Sequence, residues 1–297
     1  PGASVRPGDF QTTQIVVNDK MYLSTPYNRV VALDPATGAE HWVYDPETVE
    51  WGQPPNGTGF VHRGIAMWSG ADERRVFLNS RWRLIAIDAA TGEPIERFGD
   101  AGEVDMTEHL QWATNRLHFT QTSPPVVWED LVIVGNGLWD GFVYERDPPG
   151  HILAFDVRTG ALRWRFDLIP GDGEFGNETW EEGSWDRVGH TNAWAPLSVD
   201  VARGLVFAPV GTPSNDYYGG DRLGDNLFAE SLVVLDARTG ERVWHFQAVH
   251  HGLWDWDLPA QPTLFPLTVD GRSIDAVGCS TKMGVRVVFD RETGEPA

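Results

Sequence analysis

The chain has 297 residues, 22% charged and 41% hydrophobic, an ordinary globular balance that suits one large all-β domain. Its net charge of −20 would repel a phosphate backbone, which argues against nucleic acid as a partner. Cys279 is the only cysteine, so an intrachain disulfide and a CxxCH haem attachment are excluded, and no apolar run reaches the ~18 residues of a membrane-spanning helix.

Fourteen tryptophans lie among 32 glycines and 20 prolines, the composition of short strands between tight turns. In chain order, Gln14 to Tyr22 reads as a hairpin around a polar Asn18-Asp19 turn. VVALDPATGAEHW follows: an alternating strand, Asp34, two variable residues, Thr37-Gly38, then Trp42. The pattern returns in LIAIDAATGEPIE (Asp88, Thr91, Gly92). A second hairpin, Val126 to Val134, precedes ILAFDVRTGALRW (Asp156, Thr159, Gly160, Trp164). LVVLDARTGERVW (Asp236, Thr239, Gly240, Trp244) and VVFDRETGEP (Asp290, Thr293, Gly294) complete five copies. The Asp can accept from amides two and three residues on, the Thr hydroxyl can do the same, and Gly supplies a positive φ. In three copies a Trp follows the Asp by eight residues, placed to pack on a neighbouring unit. No long stretch has helical periodicity. Repeated units of four short strands predict the blades of an all-β β-propeller.

The Asp-to-Asp intervals are 54, 68, 80 and 54 residues. A bare blade needs roughly 40–50, so the middle units carry insertions, near 105–120 and 170–192. Long loops on one face of a rigid scaffold are where sites are built. The sequence opens within a strand-like pattern and stops at Thr293-Gly294-Glu295-Pro296-Ala297, inside a turn motif. The expectation is one partial propeller domain over 1–297, truncated at both ends.

The repeat with its docking Trp resembles that of the PQQ-dependent (quinoprotein) dehydrogenases, an eight-bladed propeller family of methanol, ethanol and membrane-bound glucose dehydrogenases. Five segments between Gln11 and Lys282 resemble that family's active-site stretches in the same order. The glucose-dehydrogenase-like branch is most similar, through HHGLWDWDLPAQP (His250 to Pro262) and TKMGVRVVFDRETGEP (Thr281 to Pro296). The resemblance implies oxidation of an alcohol or sugar hydroxyl by hydride transfer to pyrroloquinoline quinone (PQQ) beside Ca²⁺ or a lanthanide. It also implies a periplasmic location and an external acceptor, ubiquinone or a cytochrome c. The rival reading is a non-catalytic propeller that uses the same repeat as a protein-assembly scaffold.

The same resemblance implies roles for particular residues. Asp255, in Leu253-Trp254-Asp255-Trp256-Asp257, matches the general base, and a carboxylate beside a metal suits removal of a hydroxyl proton. Asp140 matches a metal-binding carboxylate or amide. Thr212 falls where methanol dehydrogenase has a metal-binding Asn, with Asn215 and Asp216 as alternative oxygens. Asp257 stands where lanthanide-using and glucose-type relatives carry a further carboxylate. Trp194, 18 residues before Thr212 as in the family, matches the indole floor under the flat quinone. Arg63 matches the arginine that holds PQQ oxygens, and Lys282 the cation that contacts the quinone oxygens. Thr122 and Gln11 match further hydrogen-bonding positions. His62, adjoining Arg63, is the candidate for the histidine that covers the ring in glucose enzymes, since one cysteine cannot form the disulfide cover of methanol dehydrogenase. After His250-His251 the glucose enzymes usually have Asp, where this chain has Gly252.

Overall fold

The computed structural model describes residues 5, 6, 8–138 and 147–297. Among the described residues, nineteen strands form five antiparallel sheets, each a consecutive piece of chain. The first blade holds β1 (Ile15–Val17), β2 (Lys20–Ser24), β3 (Val30–Leu33) and β4 (Glu40–Tyr44). The second holds β5 (Ala66–Ser69), β6 (Arg74–Ser80), β7 (Arg83–Asp88) and β8 (Glu103–Asp105). The third holds β9 (Val126–Trp128), β10 (Leu131–Val134), β11 (His151–Asp156) and β12 (Leu162–Asp167). The fourth holds β13 (Ser198–Asp200), β14 (Leu205–Pro209), β15 (Ser231–Asp236) and β16 (Arg242–Gln247). The fifth sheet has three strands, β17 (Thr263–Val269), β18 (Arg272–Ser280) and β19 (Arg286–Asp290). This is the predicted all-β propeller arrangement. The first strands β5, β9, β13 and β17 neighbour one another in turn and line the inner edge of the blades.

The repeat builds the turn that follows each third strand. In all five copies the Asp Oδ1 accepts from the backbone N–H groups two and three residues on, at 2.7–3.0 Å. The Thr hydroxyl then accepts from the amide two residues after itself at 3.2–3.3 Å. The docking tryptophans reach the next blade at this same turn. The Nε1–H groups of Trp42, Trp164 and Trp244 donate to the carbonyls of Ala89, Ala237 and Arg291, each one residue past the next blade's Asp. Their rings lie on the turn glycines. A Cβ on Gly92, Gly240 or Gly294 would meet ring carbons at 2.6–2.7 Å, so each glycine serves both the turn's φ and the close approach of the indole. The second repeat lacks a Trp, and backbone takes its place: the Gly99 N–H donates to the Thr159 carbonyl at 2.9 Å.

The hydrophobic core lies between blades. Phe77 and Phe98 of the second blade pack with Val132 and Phe155 of the third, and Ala154 and Trp164 of the third with Val206 and Val233 of the fourth. Trp164 is 7% exposed. Replacing it with alanine removes its ring, its bond to Ala237 and the lid over Gly240, and is expected to cost about 3–5 kcal/mol, read as a lowered denaturation midpoint. A loss under about 1 kcal/mol would mean that the third and fourth blades are not held together through this indole.

Strand alternation decides where the long loops go. With four antiparallel strands per blade, the first hairpin and the Asp-Thr-Gly turn share one end. The connections between blades and from the second to the third strand share the other. The insertions at 105–120 and 170–192 both join blades, so they fall on that second end. One propeller face therefore carries tight turns and the other carries long loops.

Candidate active site

The candidate site residues sit on the long-loop face, on either side of the inner strands. Arg63, Thr122, Trp194, Asp255 and Asp257 precede the first strands of four blades, while Thr212 and Lys282 follow second strands. The topology thus brings together segments more than 200 residues apart. A pocket of about 220 Å³ is lined by Arg63, Thr122, Trp194, Asp255, Asp257 and Lys282, with Asn56, Gly57 and Thr58 on one rim.

Trp194 is fixed from three sides. Its carbonyl accepts from the hydroxyls of Thr122 at 3.2 Å and Ser123 at 2.7 Å, and its Nε1–H donates to Asp257 Oδ2 at 3.0 Å. The close approach of Trp194 and Asp257 requires Gly211, where an added Cβ would stand 2.7 Å from Asp257 Oδ1 and 3.3 Å from Trp194 Nε1. The Arg63 guanidinium lies 5.2 Å from the centre of the Trp194 ring and the Lys282 ammonium 5.9 Å from it. Arg63 donates to the Thr122 carbonyl at 3.2 Å. Burial lowers its pKa, and no carboxylate pairs with it among the described residues. A half-buried guanidinium with no anion, beside an aromatic face, suits a planar ligand that carries carboxylates.

The acidic side is a connected network. Lys282 Nζ donates to Asp255 Oδ2 at 2.7 Å and to Asp257 Oδ2 at 2.8 Å. Asp257, buried, also accepts at Oδ1 from the Thr212 amide at 2.7 Å and the Thr212 hydroxyl at 3.1 Å. Asp255 is partly open to the pocket, with 27% of its side chain exposed. Burial first, then the charge of Asp257, raises its pKa against the opposing pull of Lys282. Burial acts to lower the Lys282 pKa, but Asp257 and Asp255 together outweigh it and raise it. Asp216 stands close by, pushed up to about 6 by burial and by the charges of Asp255 and Asp257, and its Oδ1 is buried without a hydrogen-bond partner.

Among the described residues, no three His, Cys, Asp or Glu side chains are already gathered as a metal site. Asp140 lies outside the described residues. The donor set nevertheless fits a hard cation. It is all oxygen, carries more negative than positive charge, and includes buried carboxylate oxygens on Asp216 and Glu230 that nothing among the described residues satisfies.

Two sequence expectations meet a different geometry. His62 does not line the pocket. It is buried, with Nδ1 2.9 Å from Ser24 Oγ and Nε2 2.9 Å from the Asn79 carbonyl. Both ring nitrogens are thereby engaged, and burial pushes its pKa down to about 4. Neighbouring side chains on extended backbone point to opposite sides, so with Arg63 turned into the pocket, His62 faces the protein interior. Gln11 is exposed and outside the pocket lining, although Thr13, two residues on, donates its N–H to the Arg63 carbonyl at 2.8 Å. Of the neighbouring pair, His250 lies 3.3 Å from Asp225 and His251 lies 2.7 Å from the Gly224 carbonyl.

The sequence reading did not single out Glu230, Gly211 or the Asn56–Thr58 rim. One signal belongs to the backbone: His190, Thr191, Glu230, His251 and Asp255 all hold positive φ between 49° and 66°. Such conformations are costly for these residues and concentrate at functional sites.

Among the described residues no helix is long and apolar enough to cross a membrane. The sequence family described as "PQQ: Glucose/ethanol/alcohol dehydrogenase, beta-propeller domain" matches residues 2–297. The quinoprotein glucose dehydrogenase of Escherichia coli (strain K12) is 35% identical over 301 residues, 97% of this chain and 37% of that protein. The quinate/shikimate dehydrogenase (quinone) of Acinetobacter baylyi is 35% identical over 321 residues, 98% of this chain and 39% of that protein. The crystal structure of quinohemoprotein alcohol dehydrogenase from Comamonas testosteroni superposes with a TM-score of 0.84 at 28% identity, covering 98% of this chain and 42% of that one. The chain therefore spans well under half the length of the relatives it matches. With the match running nearly end to end over a propeller of this repeat, the chain belongs to the PQQ-type glucose/ethanol/alcohol dehydrogenase β-propeller family.

Proposed function

We propose that this protein is a PQQ-dependent dehydrogenase that oxidises an alcohol, polyol or sugar hydroxyl and passes the electrons to a quinone or a cytochrome c in the periplasm. The observation that carries the reading is the pocket itself, where an aromatic floor, an anion-free arginine and a lysine-held carboxylate pair meet from distant segments. The names of the relatives, which include glucose, quinate/shikimate and alcohol dehydrogenases, support the substrate class.

When bound, PQQ supplies the carbonyl that accepts hydride, and a hard cation beside it, Ca²⁺ or a lanthanide, draws electron density from that carbonyl. Trp194 provides the flat apolar floor, with Arg63, Thr122 and Lys282 as polar partners of the quinone. Thr212, Asp257, Asp255 and Asp140 supply oxygens to the cation. Asp255 is the group that takes the substrate's hydroxyl proton. Its raised pKa makes it a better base than an ordinary surface carboxylate, and the Lys282 contact keeps it ionised. Lys282 also places a positive charge where negative charge builds on the acceptor.

Reconstitution tests this. PQQ and Ca²⁺ added to the cofactor-free full-length protein should give a bound-quinone absorption band that alcohols or sugars bleach. Arg63→Ala should weaken PQQ binding by on the order of tenfold or more, the worth of a charge-assisted contact. Absence of the band in the wild type would end the quinoprotein reading.

A further inference from the structure

Glu230 is a fully buried carboxylate with a partner for only one of its oxygens. It stands immediately before β15, with 0% exposure. Its Oε1 accepts from the Trp256 amide at 3.2 Å and lies 3.3 Å from Thr212 Oγ1, while Oε2 has no hydrogen-bond partner among the described residues. The Thr212 hydroxyl also lies 3.1 Å from Asp257 Oδ1. A hydroxyl carries one proton, so it cannot donate to both carboxylates at once. The charge of Arg222 acts on Glu230, but its guanidinium hydrogen bonds go to Asn226 Oδ1 and to the carbonyls of Asn215 and Gly252. Lys282 is committed to Asp255 and Asp257. Burial and the charge of Asp257 accordingly push Glu230 up to about 7.

The room for this carboxylate comes from Gly252. A Cβ at that position would stand 1.9 Å from Glu230 Oε2 and 2.1 Å from Oε1. Gly252 is not among the glycines with positive φ, so its backbone needs no glycine. The missing side chain is a matter of volume, which Glu230 fills. A buried carboxylate with an orphan oxygen is unfavourable unless something compensates its charge. Asp216 presents a second buried orphan oxygen and interacts with the Asp255 and Asp257 charges. Orphan carboxylate oxygens in a site that also holds a threonine hydroxyl are what a hard cation takes as ligands.

We propose that Glu230 is a direct oxygen ligand of the hard cation in this site, reaching it beside Thr212 through the space that Gly252 leaves open. The inference rests on the quinoprotein reading for the presence of the cation, and on this chain's own geometry for the ligand. It makes Glu230 and Gly252 a matched pair. A carboxylate moved from position 230 to position 252 would restore charge and oxygen donors to the same volume.

Tb³⁺ luminescence tests the ligand directly, because decay rates in H₂O and D₂O count the waters on the ion. The metal-stripped full-length protein would be titrated with Tb³⁺, and with Ca²⁺ in competition, as wild type, Glu230→Gln, Glu230→Ser and the double variant Glu230→Ser/Gly252→Asp. Loss of a carboxylate ligand should add about one or two waters to the bound ion, according to whether it binds through one oxygen or both. Affinity for Tb³⁺ and Ca²⁺ should fall at least about tenfold, and the double variant should recover most of both. Glu230→Gln keeps the shape and removes a buried charge. Should it fail to fold by circular dichroism, the comparison of Glu230→Ser with the double variant carries the test. An unchanged water count in Glu230→Gln with affinity near wild type would overturn the assignment and leave the quinoprotein reading in place. Wild-type protein that binds neither ion would overturn both.

Discussion

Asp255→Asn is expected to lower turnover by roughly 10³-fold or more, at the upper end of what a positioned base contributes, while PQQ still binds. Three features make the substitution clean. Asparagine keeps the shape of the side chain. It also tolerates the left-handed backbone at this position, where φ is +53°. Trp194 and Arg63, the proposed floor and anion seat for the quinone, come from other blades. What is lost is the ability to take a proton. The wild-type rate needs the carboxylate form, so activity is present above the Asp255 pKa and lost as pH falls through it. The acid limb that this protonation produces should vanish from the residual activity of the variant. Turnover with a phenazine-type acceptor, measured from acid to alkaline pH alongside PQQ binding, checks both points. A variant that turns over like the wild type would remove Asp255 from the role of base.

The parts of this molecule that the sequence made legible are those whose physics is local. Asp34, Asp88, Asp156, Asp236 and Asp290 bond to amides two and three residues away, so their turns could be read from five letters. The Trp-to-turn dock could be read as well, because its spacing from the Asp is fixed within one hairpin. Contacts that depend on the approach of distant segments were not legible. Phe98 and Gly99 take the docking role in the second blade without any tryptophan to mark it. Glu230, one acid before a run of strand-forming residues, reads as a solvated charge until Thr212, Trp256 and Gly252 are brought around it. His62 shows the same limit on a smaller scale. Its place beside Arg63 in sequence could not say which of the two would face the pocket, and the bonds to Ser24 and Asn79 decide that.

The second large effect is expected at Lys282, and it differs in kind from the first. Lys282→Met removes the one cation that, among the described residues, hydrogen-bonds both Asp255 and Asp257. Asp257 keeps its bonds from Trp194 and from the Thr212 amide, so the buried partner stays in place. Among the described residues, no amide or indole donates to Asp255. Burial and the Asp257 charge already raise its pKa, and the Lys282 contact is what pulls the other way. Without the ammonium, the carboxyl should hold its proton to higher pH, and the acid limb of the rate should move upward. Turnover at neutral pH should fall on the order of 10²-fold or more, as when one donor facing developing negative charge is lost. Raising the pH should recover part of that loss, because the base is still present, whereas no pH should rescue Asp255→Asn. Lys282→Arg, which keeps the charge, should leave the limb close to its wild-type position. An acid limb that stays put in Lys282→Met would mean that the lysine does not set the protonation of Asp255. The carboxylate pair would then owe its charge balance to another group, the cation held by Thr212 and Asp257 first among them.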